Sequence, residues 1–158
     1  MPKVSVIIPN YNGIKYIEDC LNSLRNQTVK DFDVWVIDNA STDGSGEYVK
    51  NALKDMNYAT VIVNDENFGF ARGNNVGYKY AKTLNPDFMI IMNNDVVIRD
   101  EDFLIKIEQS FIESNFYVLG PDIVSKRGQT SPIKARGVTA STLSLMALRS
   151  FARPVTVP

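Results

Sequence analysis

The chain has 158 residues, 44% of them hydrophobic, which suits one domain with an ordinary core. Its 17 basic and 18 acidic residues leave a net charge of −1, which excludes general attraction to nucleic acid or to an anionic membrane. No His and one Cys (Cys20) exclude histidine-based zinc sites, Ser-His-Asp or Cys-His catalysis and an internal disulfide, and fit a reducing compartment.

Val4-Ser5-Val6-Ile7-Ile8 reads as a short β-branched strand, stopped by the turn chemistry of Pro9-Asn10-Tyr11-Asn12-Gly13. That apolar run is too short for a signal peptide, and none in the chain approaches the roughly 18 residues of a membrane span. The expected location is therefore cytoplasmic. A helix is expected over 14–26, with Ile14, Ile17, Leu21 and Leu24 on one face and Asn12 as its cap. Cys20 falls on the apolar side of that helix, as a core residue.

A second strand is expected over 33–37, with Trp35 in the core, ending in Asp38-Asn39-Ala40-Ser41-Thr42-Asp43-Gly44. A helix follows with Tyr48, Val49, Ala52, Leu53 and Met56 on one face, then a strand over 59–63. The next helix is expected from the Gly-rich turn at 68–77 to about residue 84. Gly69, Gly73, Gly77 and Ala81 recur every four residues and make a bare stripe on it. Glycine costs a helix about 1 kcal/mol relative to Ala, so the stripe implies a close approach to the sheet or a ligand.

Residues 88–92 (Phe-Met-Ile-Ile-Met) form a continuous apolar run, the pattern of a parallel strand covered on both faces. It stops abruptly in Asn93-Asn94-Asp95. Asp100 then caps a helix with Glu101 and Asp102 in its first turn and Phe103, Leu104, Ile107 and Phe111 on its apolar face. A strand is expected over 116–119. Beyond residue 124 the pattern fades, and residues 139–151 read as a helix weakened by Thr and Ser. Alternating strands and helices predict a three-layer α/β/α fold with a mostly parallel central sheet.

In such a sheet the strand ends share one edge, where ligands collect. The clusters at 9–12, 38–43 and 93–95 and the turn carrying Arg72 all fall there. Tyr11 can stack on a base, Asp38 can accept from a pyrimidine imide, and Asn93 or Asn94 can hold ribose hydroxyls. Arg72 and a divalent metal on Asp95 can neutralise a diphosphate. Each residue also has an ordinary structural reading: Tyr11 as a turn aromatic, Asp38 and Asp43 as turn or cap acids, Arg72 paired with Glu66, and 93–95 as a tight turn.

Four segments in this order resemble family 2 glycosyltransferases of the GT-A fold: Val4-Ser5-Val6-Ile7-Ile8-Pro9-Asn10-Tyr11-Asn12, Val36-Ile37-Asp38-Asn39-Ala40-Ser41-Thr42-Asp43-Gly44, Asn67-Phe68-Gly69-Phe70-Ala71-Arg72-Gly73-Asn74-Asn75 and Met92-Asn93-Asn94-Asp95-Val96. The Gly-Phe-Ala-Arg-Gly-Asn-Asn form is similar to the rhamnosyltransferase-like branch that builds bacterial surface polysaccharides. The resemblance implies a Rossmann-like domain over 1–124 that binds a nucleoside-diphosphate sugar, such as a UDP- or dTDP-sugar, with Mg²⁺ or Mn²⁺ bridging the diphosphate. By motif position Pro9 and Tyr11 would flank the base, Asp38 would bind it, and Arg72 would reach the base or the diphosphate. Asn93-Asn94-Asp95 would stand at the family's Asp-x-Asp, with Asp95 as metal ligand.

Asn93 departs from the first acid of that motif, leaving a neutral ribose contact. The one Glu-Asp after Asp95 lies within Asp100-Glu101-Asp102 and reads as a helix start, so the catalytic base is not identified. Residues 125–158 would be the loop-rich, incomplete or partly disordered start of an acceptor-side region of a truncated chain. The implied acceptor is a glycan or a lipid-linked glycan, with peripheral membrane association or self-association. The expected function is donor binding for an inverting glycosyltransferase of polysaccharide or cell-envelope biosynthesis; the alternative is a non-catalytic module that retains the fold. A nucleotidyltransferase would need a Gly-rich loop after the first strand, and a P-loop NTPase a Gly-Lys-Ser/Thr loop; neither is present.

Overall fold

The computed structural model describes residues 3–113 and the strands at 118–119, 123–124, 130–131 and 145–149. Four strands run parallel: β1 (Val4–Asn10), β2 (Phe32–Asp38), β3 (Ala59–Val63) and β4 (Phe88–Met92). β5 (Val118–Leu119) belongs to the same sheet, whereas β6 (Ile123–Val124) and β7 (Thr130–Ser131) pair with each other. The strand expected over 116–119 is described only at 118–119.

The helix expected over 139–151 is not formed at 145–149, the described part of that span. Leu145–Arg149 is instead a strand, β8, inserted antiparallel between β4 and β5. Leu, Met, Ala and Arg are good helix formers, so local propensity favours the wrong state here. The pairing partner overrides it: every residue of β4, from Phe88 opposite Arg149 to Met92 opposite Leu145, has a counterpart on β8. The sheet order is β3-β2-β1-β4-β8-β5, so this late strand completes the sheet that the first 92 residues begin.

The helices are α1 (Ile17–Arg25), α2 (Ser45–Ala52), α3 (Gly69–Ala81, continued by a 3₁₀ turn over Lys82–Leu84) and α4 (Phe103–Glu113). Strand side chains alternate between faces, and each face has its own cover. Val6, Val34 and Ile90 meet Ile17, Leu21, Leu24, Val49, Leu104 and Ile107 in one cluster, so α1, α2 and α4 share a layer. Ile7, Ile37 and Met89 point the other way, toward Ala81 and Val76 of α3. Fully burying a Leu or Ile contributes roughly 2 kcal/mol, and Leu21→Ala would remove about 2–5 kcal/mol with the cavity it leaves. The three-layer, mostly parallel sandwich is as the sequence implies.

α1 begins three residues later than expected, and Asn12 does not cap it. Asn12 sits at φ +50°, whereas a helix cap needs extended backbone. The first turn is formed instead by Gly13, whose carbonyl accepts from the amides of Tyr16 and Ile17. Asp100 caps the turn just ahead of α4: its Oδ1 accepts from the Asp102 amide and its carbonyl from Phe103. The side chain of Phe111 lies outside the description.

The stripe on α3 does approach the sheet. A Cβ on Gly73 would stand 2.5 Å from Asn39 Nδ2, and one on Gly77 would overlap Ile7. Gly69 behaves differently. It opens the helix at φ +74° and would meet nothing.

Candidate functional site

β2 and β3 lie to one side of β1 and β4 to the other, so the strand order reverses between β1 and β4. A crevice opens at the carboxyl ends of strands at such a switch point. Here β1 pairs with β4 only from Val4 to Ile7, while its pairing with β2 runs on to Asn10 opposite Asp38. Past Ile7 the two central strands part. Pro9 lies in the parting stretch and has no N–H to leave unpaired.

One wall of the opening comes from β1 and the turn after it. Asn10 is fully buried and Tyr11 is 48% exposed. The facing wall is the tip after β4, where Asn93 and Asn94 are half-buried and Asp95 is exposed. The two walls touch through one side-chain bond, Asn94 Nδ2 donating to Asn10 Oδ1 at 2.8 Å. Gly13 makes room for it, since a Cβ there would overlap both amides. Beneath the tip, the Cys20 thiol donates to the Asn93 carbonyl at 3.7 Å. Burial, with the Asp95 charge adding to it, pushes that thiol up to about 12. Cys20 is thus a packed support with no nucleophilic character.

Asp38 ends β2 with only 2% exposure. Its Oδ1 accepts from Asn10 Nδ2 (2.8 Å) and Ser41 Oγ (2.6 Å), and its Oδ2 from the Ser41 amide (3.1 Å). The carboxylate therefore holds the 38–45 loop against β1. That loop carries Asp43, whose oxygens accept from the Ile14 amide and from Ser45. Desolvation raises the Asp43 carboxyl, and these donors together outweigh it and hold the group below the usual carboxylate range. Asn12 closes the same loop, its Oδ1 accepting from the Thr42 amide at 2.8 Å.

Arg72 lies in the first turn of α3 and is exposed. Its guanidinium stands 4.5 Å over the Phe68 ring, and among the described residues Glu66 is not its partner. Stacking leaves the five N–H donors available in the plane of the group. Trp35 is half-buried, stacked on Tyr80 at 6.1 Å.

The structure thus brings Tyr11, Asn93, Asn94 and Asp95 to the neighbouring carboxyl ends of β1 and β4, with Pro9 buried in β1. Asp38 lies within the protein behind them, and Arg72 at the start of α3. Sequence reasoning missed Asn10, Ser41, Ser45 and Gly13, the residues that join the walls. Burial was the absent signal: Asn10 and Ser45 are polar and fully enclosed, which a turn motif does not reveal. It also missed Gln27, fully buried at the end of α1. Its Nε2 donates to the Asp100 carbonyl and its Oε1 accepts from the Leu104 amide, which ties α4 down and fixes where the 93–102 segment ends.

Most polar atoms here have partners, but Asn93 Oδ1 is buried and accepts from nothing in the protein. Buried acceptors are nearly always paired, so this orphan beside the parting of β1 and β4 stands out. Among the described residues no three acidic or sulfur side chains gather to hold a metal unaided. Asp95 and the two asparagine amides carry oxygen donors, the donor type that suits Mg²⁺ or Mn²⁺, which bind through one or two carboxylates together with substrate phosphates.

The chain matches known proteins over this framework. It is 32% identical over 96 residues to the teichoic acid poly(glycerol phosphate) polymerase of Staphylococcus epidermidis, covering 60% of this chain and 13% of that protein. Among solved structures, S. aureus TarS 1-349 in complex with UDP-GlcNAc superimposes with a TM-score of 0.66 at 30% identity, over 73% of this chain and 33% of that one. The mannosyltransferase PcManGT from Pyrobaculum calidifontis, in complex with GDP-Man and Mn²⁺, gives 0.67 at 26% identity, over 74% and 34%. The chain therefore spans about a third of these solved neighbours, and 13% of that curated relative. The family model for glycosyl transferase family 2 matches residues 5–151, from the second residue of β1 to just past β8. With a GT-A sheet, a crevice at its switch point and four motifs along its edge, the chain belongs to glycosyl transferase family 2.

Proposed function

We propose that this chain is the metal-dependent donor-binding portion of an inverting glycosyltransferase that builds a polysaccharide or cell-envelope glycan. The observation that carries the reading is the orphaned Asn93 Oδ1 at the β1–β4 crevice. An acceptor oxygen there suits a ribose hydroxyl or a cation and repels a bare phosphate. Tyr11, directly after β1, offers an exposed ring for a base. Arg72 offers planar donors to a diphosphate. Asp95 would hold Mg²⁺ or Mn²⁺ together with the two asparagine amides, and the ion supplies charge neutralisation of the diphosphate leaving group.

In the transfer, an acceptor hydroxyl loses its proton to a general base and attacks the anomeric carbon as the nucleoside diphosphate departs. This chain's residues bind and orient the donor; the base is not among those identified. Neighbours bound to UDP-GlcNAc and to GDP-Man support a nucleotide-sugar ligand and leave uracil and guanine both as candidate bases. Asp38 acts on the base indirectly, by holding the 38–45 loop, since its oxygens are taken up within the protein.

The test is calorimetry of UDP, dTDP and GDP with and without Mn²⁺, on wild type and Asp95→Ala. Binding of at least one nucleotide that strengthens in Mn²⁺, and loses that strengthening in Asp95→Ala, is the expected result. Equal binding in every arm, or none in any, sinks the proposal.

A further inference from the structure

The bond between the walls of the crevice has a fixed direction. The Asn10 amide nitrogen donates to Asp38 Oδ1 at 2.8 Å and lies 3.0 Å from Ser45 Oγ and 3.2 Å from Ser41 Oγ. The Ser41 and Ser45 hydroxyls already donate to Asp38 and Asp43, so they and Asp38 act as acceptors here and this end of Asn10 must be its NH₂. The other end is then an oxygen, and the Asn94 group 2.8 Å away must be the donor. Asn94 cannot flip its amide without setting two oxygens against each other. Its own Oδ1 is therefore the atom left for a ligand. The tip thus carries oxygen on three successive residues, two amides and one carboxylate, of which Asn93 Oδ1 is buried, and its one amide NH₂ of known orientation is turned inward.

Asn10 does this while fully buried, with both ends of its amide engaged within the protein. We propose that Asn10 is a positioning residue that acts through Asn94. By anchoring to Asp38 it locks the tip after β4 so that its oxygens meet the cation and ribose side of the donor. The role rests on the donor-binding reading. It adds that the loop after β2 and the tip after β4 are coupled, and that Asn10 is the coupling. Locking a side chain before binding removes its ordering cost from the affinity.

The experiment is a double-mutant cycle on the full chain: wild type, Asn10→Ala, Asn94→Ala and the double variant. UDP affinity, with GDP in parallel, is measured with and without MnCl₂, and circular dichroism melts confirm folding. Each single variant is expected to lose about tenfold of the Mn²⁺ enhancement, so that binding falls further with Mn²⁺ than without it. The double variant is expected to lose no more than the worse single one. A merely structural Asn10 would weaken binding equally with and without Mn²⁺, or give losses that multiply in the double variant, and either result overturns the proposal. Should Asn10→Ala fail to fold, Asn10→Ser decides: it keeps a hydroxyl toward Asp38 but is too short to reach Asn94, and wild-type Mn²⁺ enhancement in it refutes the coupling. Wild type without nucleotide binding refutes donor binding itself; wild type with Mn²⁺-dependent binding and multiplying losses refutes only Asn10.

Discussion

Gly77 of α3 has no room for a side chain above Ile7 of β1: a Cβ at position 77 would overlap Ile7 Cγ2 and stand 3.0 Å from Ile37 Cγ1. Both isoleucines are fully buried, and Ile7 is a stiff β-branched residue in the centre of the sheet. Gly77→Ala gains about 1 kcal/mol of helix propensity and incurs an overpacking cost of about 1–3 kcal/mol. The steric term is expected to win, because neither neighbour can rotate away. The urea midpoint should fall by the equivalent of up to about 2 kcal/mol; a raised midpoint would show that α3 can lift off the sheet.

How much of this was legible beforehand follows from which forces act locally. The run of five apolar residues at 88–92 could only be a covered strand, and β4 has those limits. The same reading failed at 145–149, because Leu-Met-Ala-Leu-Arg carries no β preference and its state is set by the free edge of β4. At the site, residue types were readable and directions were not. Asp38 and Asn94 looked like ligand contacts, yet both spend hydrogen bonds on Asn10. A sequence shows which groups stand at a strand end; which of them turn inward depends on packing from the next strand.

Cys20 should be inert in the folded chain. With its thiol pushed up to about 12, almost no thiolate exists at pH 8. Labelling by a disulfide reagent at pH 8 is expected to be slower than for an exposed thiol by a factor of 100 or more, becoming fast only in denaturant. A linked effect appears in alkali. The folded value lies above the ordinary 9.0, so the stabilising preference for the neutral thiol is present below pH 9 and is lost as pH rises toward about 12. Wild type should lose up to about 1.4 kcal/mol more per pH unit above 9 than Cys20→Ala does. Parallel curves for the two proteins would disprove the shift.

Glu108 on α4 is 7% exposed and its Oε1 has no partner. Burial pushes its carboxyl above the usual range. For an acid raised in the folded state, the neutral form is favoured on folding. Its contribution is present below the ordinary value of 4.5 and is lost as pH rises through the folded one. Glu108→Gln should therefore be more stable than wild type at pH 7 and equal to it at pH 3. Denaturation at the two pH values measures this, and a Gln variant less stable at pH 7 would reveal a partner for the charge.

Arg72 separates stability from binding. Its stacking on Phe68 is exposed and contributes roughly 0.5–1 kcal/mol. Arg72→Ala should hardly move the melting temperature, yet should weaken nucleoside-diphosphate binding about tenfold or more through the lost charge-assisted bonds. Arg72→Lys should recover only part, because a point charge replaces a planar fork. Calorimetry beside thermal melts distinguishes these effects; full binding by Arg72→Ala would remove Arg72 from the site.

Position 93 offers a gain rather than a loss. Its side-chain oxygen is buried and unpartnered, and it is neutral where the related motif has a carboxylate. In Asn93→Asp the same atoms would carry a second negative charge beside Asp95. Without a cation the two carboxylates repel in a partly buried place, so the variant should be less stable than wild type in chelator. A divalent cation reverses this, because a second charged oxygen raises its affinity by on the order of tenfold. Mn²⁺ titration followed by the paramagnetic signal of the free ion, with melts in Mn²⁺ and in EDTA, reads both effects. The expected pattern is tighter Mn²⁺ binding and a larger Mn²⁺-induced rise in melting temperature than wild type shows. If Asn93→Asp binds Mn²⁺ no better than wild type, the orphaned oxygen faces a hydroxyl of the donor and Asp95 holds the cation without it.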